Sequence, residues 1–356
     1  MLDDTKRARL RRGCVIPAHP LALDAQNRLD ERRQRALTRY YLAAGAGGLA
    51  VGVHTTQFAI HDPQVGLYKP VLELAKATAD QFVGATHASP APIMIAGILG
   101  QTDQAVREAE LAVELGYDIG LLSLKALKGA SVIDLIAHCQ AVAEVIPVMG
   151  FYLQSTLSGM VLSRAFWSAF AEIPNVVAIK IAPFHRYQTL DVLEAVAASG
   201  RADEIALYTG NDDNILVDLL TRHTFRFGQR EISVQIVGGL LGQWACWTKR
   251  AVEHLETIRP IREEGKAVPG EIMTLASQLT LANKAIFDAD NQFAGCIPGI
   301  SYVLKRQGLL DNVASLDPHE RLSEGQAERI DEIIAAYPHL TDDEFVAAHR
   351  DEWLRA

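Results

Sequence analysis

Eight short apolar runs, each followed by an amphipathic stretch, constrain this chain more than any other feature. The runs occupy 13–18 (GCVIPA), 48–55 (GLAVGVHT), 91–99 (APIMIAGIL), 119–124 (IGLLSL), 147–153 (PVMGFYL), 176–182 (VVAIKIA), 205–210 (IALYTG) and 232–239 (ISVQIVGG). Each is continuous rather than alternating, as a parallel strand covered on both faces must be. Helical patterns fill the gaps at 30–44, 70–87, 103–115, 131–145, 163–172, 189–198, 212–221 and 243–255. Eight such units predict an α/β protein, a (β/α)8 TIM barrel. A doubly wound sheet competes, but no glycine-rich phosphate motif follows any run. After Pro260 the strand signals stop, and helical patterns follow at 270–287, 300–307, 324–337 and 342–353. The expected organisation is a barrel over 1–260 and a C-terminal helical extension over 261–356 packed on it. Ser323 with Gln326 and Thr341 with Glu344 have the spacing of capping boxes.

Composition narrows the partners. Lys and Arg number 34 against 43 Asp and Glu, a net charge of −9, which argues against nucleic acid and anionic membrane surfaces. The basic stretch 6–12 reads as a short solvated arm. Cys14, Cys139, Cys246 and Cys296 are dispersed, so neither a disulfide framework nor a structural zinc site is expected. No run of about 18 apolar residues predicts a membrane span. The first residues lack the apolar run of a signal peptide, and a reducing cytoplasm is the expected setting.

In a barrel of this kind, functional groups gather at the C-terminal ends of the strands. Those ends supply His19, His54, Thr55, Thr56, Tyr152, Lys180, the Gly210–Asp213 stretch and the Gly238–Gly239 pair. Lys180 stands out, because an ammonium inside an apolar strand is rare unless paired. Desolvation favours the neutral amine, the form that attacks a carbonyl to give a Schiff base. A packing explanation pairs Lys180 with an acid such as Asp212. Tyr152, at the end of the preceding strand, is a candidate proton relay or a packing residue. Thr55 and Thr56 can hold a carboxylate or simply build a turn. His19 and His54 could share a divalent metal, although few further ligands accompany them. The glycine pair offers a weak phosphate signal.

The pair Tyr152 and Lys180, 28 residues apart in GFYLQS (150–155) and VVAIKIA (176–182), resembles the dihydrodipicolinate synthase / N-acetylneuraminate lyase family of class I aldolases. VHTTQF (53–58) is similar to the family's carboxylate-binding loop. TGNDD (209–213), IVGGLLG (236–242) and PGISYVLKRQGLL (298–310) are similar to its later loops. The resemblance runs from Gly13 to Leu310. It implies a barrel enzyme whose Lys180 forms an imine with pyruvate or another 2-oxo acid. It also implies that Tyr152 and Thr55 relay protons, and that Thr56, His54, Gly210 and Leu241 contact substrate. The imine serves as electron sink, so no metal or organic cofactor is implied. A homo-oligomer, dimer or tetramer, is implied as well.

Departures from the family pattern argue against a genuine dihydrodipicolinate synthase. His54 replaces the first threonine of the carboxylate loop. No arginine stands near Leu157, and no tyrosine occurs in SLKALKG (123–129). A metal-dependent barrel lyase or hydrolase using His19 and His54, or a non-catalytic barrel that binds an oxo acid or sugar acid, are the other readings.

Overall fold

The computed structural model describes residues 2–87 and 90–355. The strands are β1 (Val15–Pro17), β2 (Gly48–Val51), β3 (Ile93–Ile98), β4 (Ile119–Leu122), β5 (Val148–Leu153), β6 (Val176–Ala182), β7 (Ala206–Thr209), β8 (Arg222–Phe227) and β9 (Arg230–Leu241). All but β8 pair in parallel, in the order β1-β9-β7-β6-β5-β4-β3-β2. A parallel bridge between Ala18 and Ala50, with the His19 N–H donating to Ala50 O at 2.8 Å, joins β1 to β2. This closes the ring: the chain is a (β/α)8 TIM barrel with C-terminal helices.

The continuous apolar runs have a physical reason. Alternate residues face two buried layers. Ile16, Ala50, Ile95, Leu121, Met149 and Ala178 fill the barrel interior. Leu49, Met94, Leu122, Ile179 and Ile181 pack outward against the helices. Every residue of the first seven strands is consequently buried. The interstrand helices begin where capping residues stand. Asp30, Ser131 and Ser163 accept from backbone N–H groups in the first turns of their helices.

Several expectations are corrected. The basic stretch 6–12 is not a solvated arm: Asp4–Arg12 is a helix capped by Asp3. Leu2 and Leu10 are buried with the barrel interior, so this helix stoppers the N-terminal mouth. Two of its cations are tied down. Lys6 pairs with Asp118 at 2.8 Å, and Arg9 donates to Pro90 O and Ala91 O, each at 3.0 Å. A second unforeseen element is the antiparallel hairpin of β8 with the first half of β9, turning at Gly228 with φ +63°. Its alternating exposure marks a ribbon with one face on the protein and one in water.

The eighth helix of the ring, Thr248–Glu263, runs through Pro260. Beyond it lie the helices Gly270–Ile286, Cys296–Arg306, Gln326–Ala336 and Asp343–Trp353. Asp342 fastens the last of these to the barrel. Its carboxylate accepts from Tyr40 Oη at 2.7 Å, Lys249 N at 3.0 Å and Gln307 Nε2 at 2.8 Å. Neither expected capping box forms. Ser323 Oγ donates to Asp288 at 2.6 Å, and only the return bond from Ser323 N to Gln326 Oε1 is made. Thr341 Oγ1 donates to Pro338 O. Among the described residues no helix is long and apolar enough to cross a membrane.

Candidate active site

A pocket of about 550 Å3, counting its open mouth, lies at the C-terminal end of the barrel. Lys180 reaches it from β6, Phe151 and Leu153 from β5, and Asp212 from the loop after β7. His54 and Thr55 enter from the single turn after β2. Phe287, Phe293 and Cys296 close it from the C-terminal helices.

Lys180 is 6% exposed. Among the described residues its ammonium makes no hydrogen bond or ion pair. Its nearest recorded partner is the Phe151 ring, whose centre lies 4.4 Å from Nζ. Burial pushes its pKa down to about 8, and the Asp212 carboxylate partly restores it. Gly210 leaves room for the lysine stem: a Cβ there would stand 2.7 Å from Lys180 Cε and 2.7 Å from Ala182 Cβ.

Asp212 is the counterpart. Burial pushes its carboxyl up to about 7, against the Gln243 N–H and the Lys180 charge, which favour the anion. Gln243 N donates to its Oδ1 at 2.9 Å, and Asn283 Nδ2 donates to its backbone oxygen at 2.6 Å. The residue is therefore fixed, while Oδ2 carries no hydrogen bond from the described residues. The sequence offered Asp212 only as a possible counterion. Its position beside Gly210, at the end of the strand next to β6, is the signal that could have marked it.

Tyr152 is not in this pocket. A constant offset of 28 residues would set it opposite Lys180, and the pair Val148–Val176 has that offset. The register then slips by one. Met149 pairs with Ala178, Phe151 with Lys180 and Tyr152 with Ile181. A one-residue slip exchanges the two faces of a strand. The extra residue is in β6, where Val177 and Ala178 both face the interior, so the slip turns Lys180 inward. The strand β5 alternates regularly, and Tyr152 points outward among the helices with its ring 5.3 Å from Trp167. It is fully buried, and its hydroxyl makes no hydrogen bond in the described structure. Burial pushes that phenol up to about 12. The inward position holds Phe151, which has no proton to give.

The remaining expected residues divide. His54, Thr55 and Gly210 line the pocket. Burial and the nearby Lys180 charge push His54 down to about 4, so it is neutral at pH 7. Thr55 Oγ1 donates to Ala18 O at 2.7 Å. Thr56 is structural: its hydroxyl donates to His19 O at 2.6 Å and accepts from Gly52 N and Val53 N. Leu241 packs in the outer layer and does not line the pocket; its neighbour Gly242 does. Gly238 and Gly239 lie within β9, where their missing Cβ atoms admit Cys14, Tyr208 and Trp244. They form no phosphate loop.

His19 does not join His54. Its Nε2 is 2.9 Å from Thr38 Oγ1 and its Nδ1 is 2.9 Å from Pro20 O, so both ring nitrogens are engaged away from the pocket. Among the described residues no group of three or more His, Cys, Asp or Glu side chains could hold a metal ion. The two-histidine metal reading loses its geometry.

No family model matches the chain. A curated 4-hydroxy-tetrahydrodipicolinate synthase of Clostridium perfringens is 29% identical over 127 residues. That stretch covers 35% of this chain and spans only 42% of the relative's length. Solved structures match over nearly the whole length. One is a prophage protein of the dihydrodipicolinic acid synthase family from E. coli K12, in complex with pyruvate. It has a TM-score of 0.70 and 17% identity, over 92% of this chain and 97% of that one. Another is a dihydrodipicolinate synthase from Acinetobacter baumannii complexed with pyruvate, TM-score 0.70 and 19% identical over 91% and 98%. At these identities the likeness is one of fold. It coincides with the family resemblance carried by the motifs.

Proposed function

We propose that this protein is a Schiff-base-forming lyase or aldolase acting on pyruvate or another 2-oxo acid. The observation that carries the reading is Lys180: an unpaired amine, desolvated to about 8, facing a barrel-mouth pocket beside a single fixed carboxyl. The two solved structures of like fold that contain pyruvate support the same class.

The neutral amine of Lys180 attacks C2 of the oxo acid and gives a carbinolamine. Asp212 in its protonated form donates to the departing hydroxyl, which leaves as water, and the iminium remains. The carboxylate so formed removes a proton from C3 and yields the enamine. A group with pKa near 7 suits both transfers. Asp212 thus takes the role that the resemblance assigned to Tyr152. Thr55 is the hydroxyl positioned to receive the substrate carboxylate, by rotation away from Ala18 O. The iminium is the electron sink, so the scheme needs no cofactor.

Leu157 lines the pocket where the resemblance would place an arginine, which weighs against genuine dihydrodipicolinate synthase activity. Phe151 in place of a phenol favours one second reading, a barrel that binds an oxo acid without turning it over. The homo-oligomeric state, the cytoplasmic setting and the division at residue 260 rest on the sequence reading; light scattering tests the first. For the reaction class, intact mass after incubation with pyruvate and borohydride is expected to show one adduct per chain. Absence of an adduct across a panel of 2-oxo acids would overturn it.

A further inference from the structure

The pocket also carries an aromatic lining that the imine chemistry does not use, and it bears on the carbonyl compound that the enamine meets. Phe184, Phe287 and Phe293 supply it together with Leu153 and Leu157, and Phe151 lies at the Lys180 ammonium. Phe184 and Phe293 meet edge to face, ring centres 5.6 Å apart and planes at 72°. Both hold left-handed backbone, at φ 52° and 67°, a region bulky residues avoid unless their surroundings enforce it. The enforcement is visible. Asp288 accepts from Asn291 Nδ2 at 2.7 Å, Gly295 N at 3.0 Å and Ser323 Oγ at 2.6 Å. That knot fixes the segment which delivers Phe287 and Phe293 to the mouth.

Charge is the other half of the argument. Among the described residues lining the pocket there is no arginine, and Lys180 is the one ammonium. In the enamine that meets the second reactant, its nitrogen carries no charge. His54 is neutral at pH 7. A carboxylate or phosphate on the second reactant would lose its water here and find no further cation in the pocket wall; Lys125, whose charge reaches His54, is not part of that wall. A flat aromatic ring would instead meet phenyl side chains, with which rings pair offset or edge to face.

We propose that the carbonyl partner is an aromatic aldehyde, so that the aldol is a 4-aryl-4-hydroxy-2-oxo acid. The inference rests on the Schiff-base reading. C3 of the enamine forms a bond to the aldehyde carbon, whose oxygen takes up a proton. Water then adds to the iminium, and the C2–N bond breaks to free the product and the amine. The cleavage direction is the same sequence reversed.

The test measures kcat/KM with pyruvate and either benzaldehyde or succinic semialdehyde, by chromatography and mass spectrometry of the aldol. Benzaldehyde is expected to be preferred at least about tenfold. Phe293→Ala is expected to lower the benzaldehyde value about tenfold while borohydride still traps pyruvate at full yield. Leu157→Arg is expected to move the preference toward the anionic aldehyde. If pyruvate is trapped but succinic semialdehyde is preferred, or neither aldehyde condenses, or Phe293→Ala leaves the ratio unchanged, the inference is overturned and the Schiff-base reading stands. If pyruvate is not trapped, both fall together.

Discussion

The two ends of the barrel bury similar chemical groups and treat them differently. At the N-terminal end, Arg259 donates to Arg12 O at 2.8 Å and Gly13 O at 3.2 Å. Arg262 donates to Val237 O at 3.0 Å. Tyr208 Oη donates to Leu10 O at 2.8 Å. Each buried polar head there finds an acceptor, as stability requires. At the C-terminal end, Lys180 is buried as deeply as Arg259, both 6% exposed, yet among the described residues its ammonium makes no hydrogen bond and rests against a phenyl face. Asp212 spends one carboxylate oxygen and keeps the other. The difference teaches how to separate a structural cation from a chemical one. Burial does not distinguish them, but satisfaction does.

Substitutions can break this comparison. The largest effect is expected from Lys180→Ala, which should abolish the borohydride-trapped adduct while the chain keeps its circular dichroism. Asp212→Asn is next. It should leave pyruvate binding measurable but slow adduct formation by roughly 10²–10⁴-fold, the usual span of an acid–base group.

The same variant sharpens the pH dependence. Trapping should quicken as pH rises and Lys180 loses its proton near 8, then slow as Asp212 loses its own near 7. The product of the two fractions is a bell centred between those values. The Asp212 charge holds the Lys180 pKa up, so Asp212→Asn should remove the falling limb and leave a single rise that reports a Lys180 pKa below 8. Stopped-flow or quenched trapping at a series of pH values reads both. A profile identical to the wild type would remove Asp212 from the chemistry.

Two smaller effects belong to the structural side. Arg259→Ala should cost about 1–3 kcal/mol in denaturant unfolding by stranding two carbonyls, with trapping unchanged. Tyr152→Phe removes a buried hydroxyl that has no well-aligned partner among the described residues, the Leu162 backbone being its one polar neighbour. It should leave trapping unaltered and change stability by no more than about 1 kcal/mol, toward greater stability. A large loss of turnover in that variant would restore Tyr152 to the site.

Much of this was legible in the sequence, and the failures have specific causes. The barrel could be read because parallel strands buried on both faces need unbroken apolar runs. Lys180 could be read because it interrupts one. The phase of β5 could not, since GFYLQS fits either face of a strand; nor could the extra residue in β6, which turns Lys180 inward beside Phe151 rather than Tyr152. The helix Asp4–Arg12 was missed because Leu10 is its only buried residue. Its polar surface looks like an arm until Asp118 and the backbone oxygens of Pro90 and Ala91 supply partners. Phe287 and Phe293 lie about a hundred residues from Lys180 in sequence, and only tertiary structure brings them to its pocket.

The central claim is that Lys180 is the nucleophile and that the pocket around it is the site. Peptide mapping of the wild-type protein after pyruvate and borohydride tests this most directly. The account predicts a reduced adduct on the peptide containing Lys180, and on no other lysine. An adduct on a different lysine, or an unmodified Lys180 peptide under conditions where the intact chain gains mass, would contradict it.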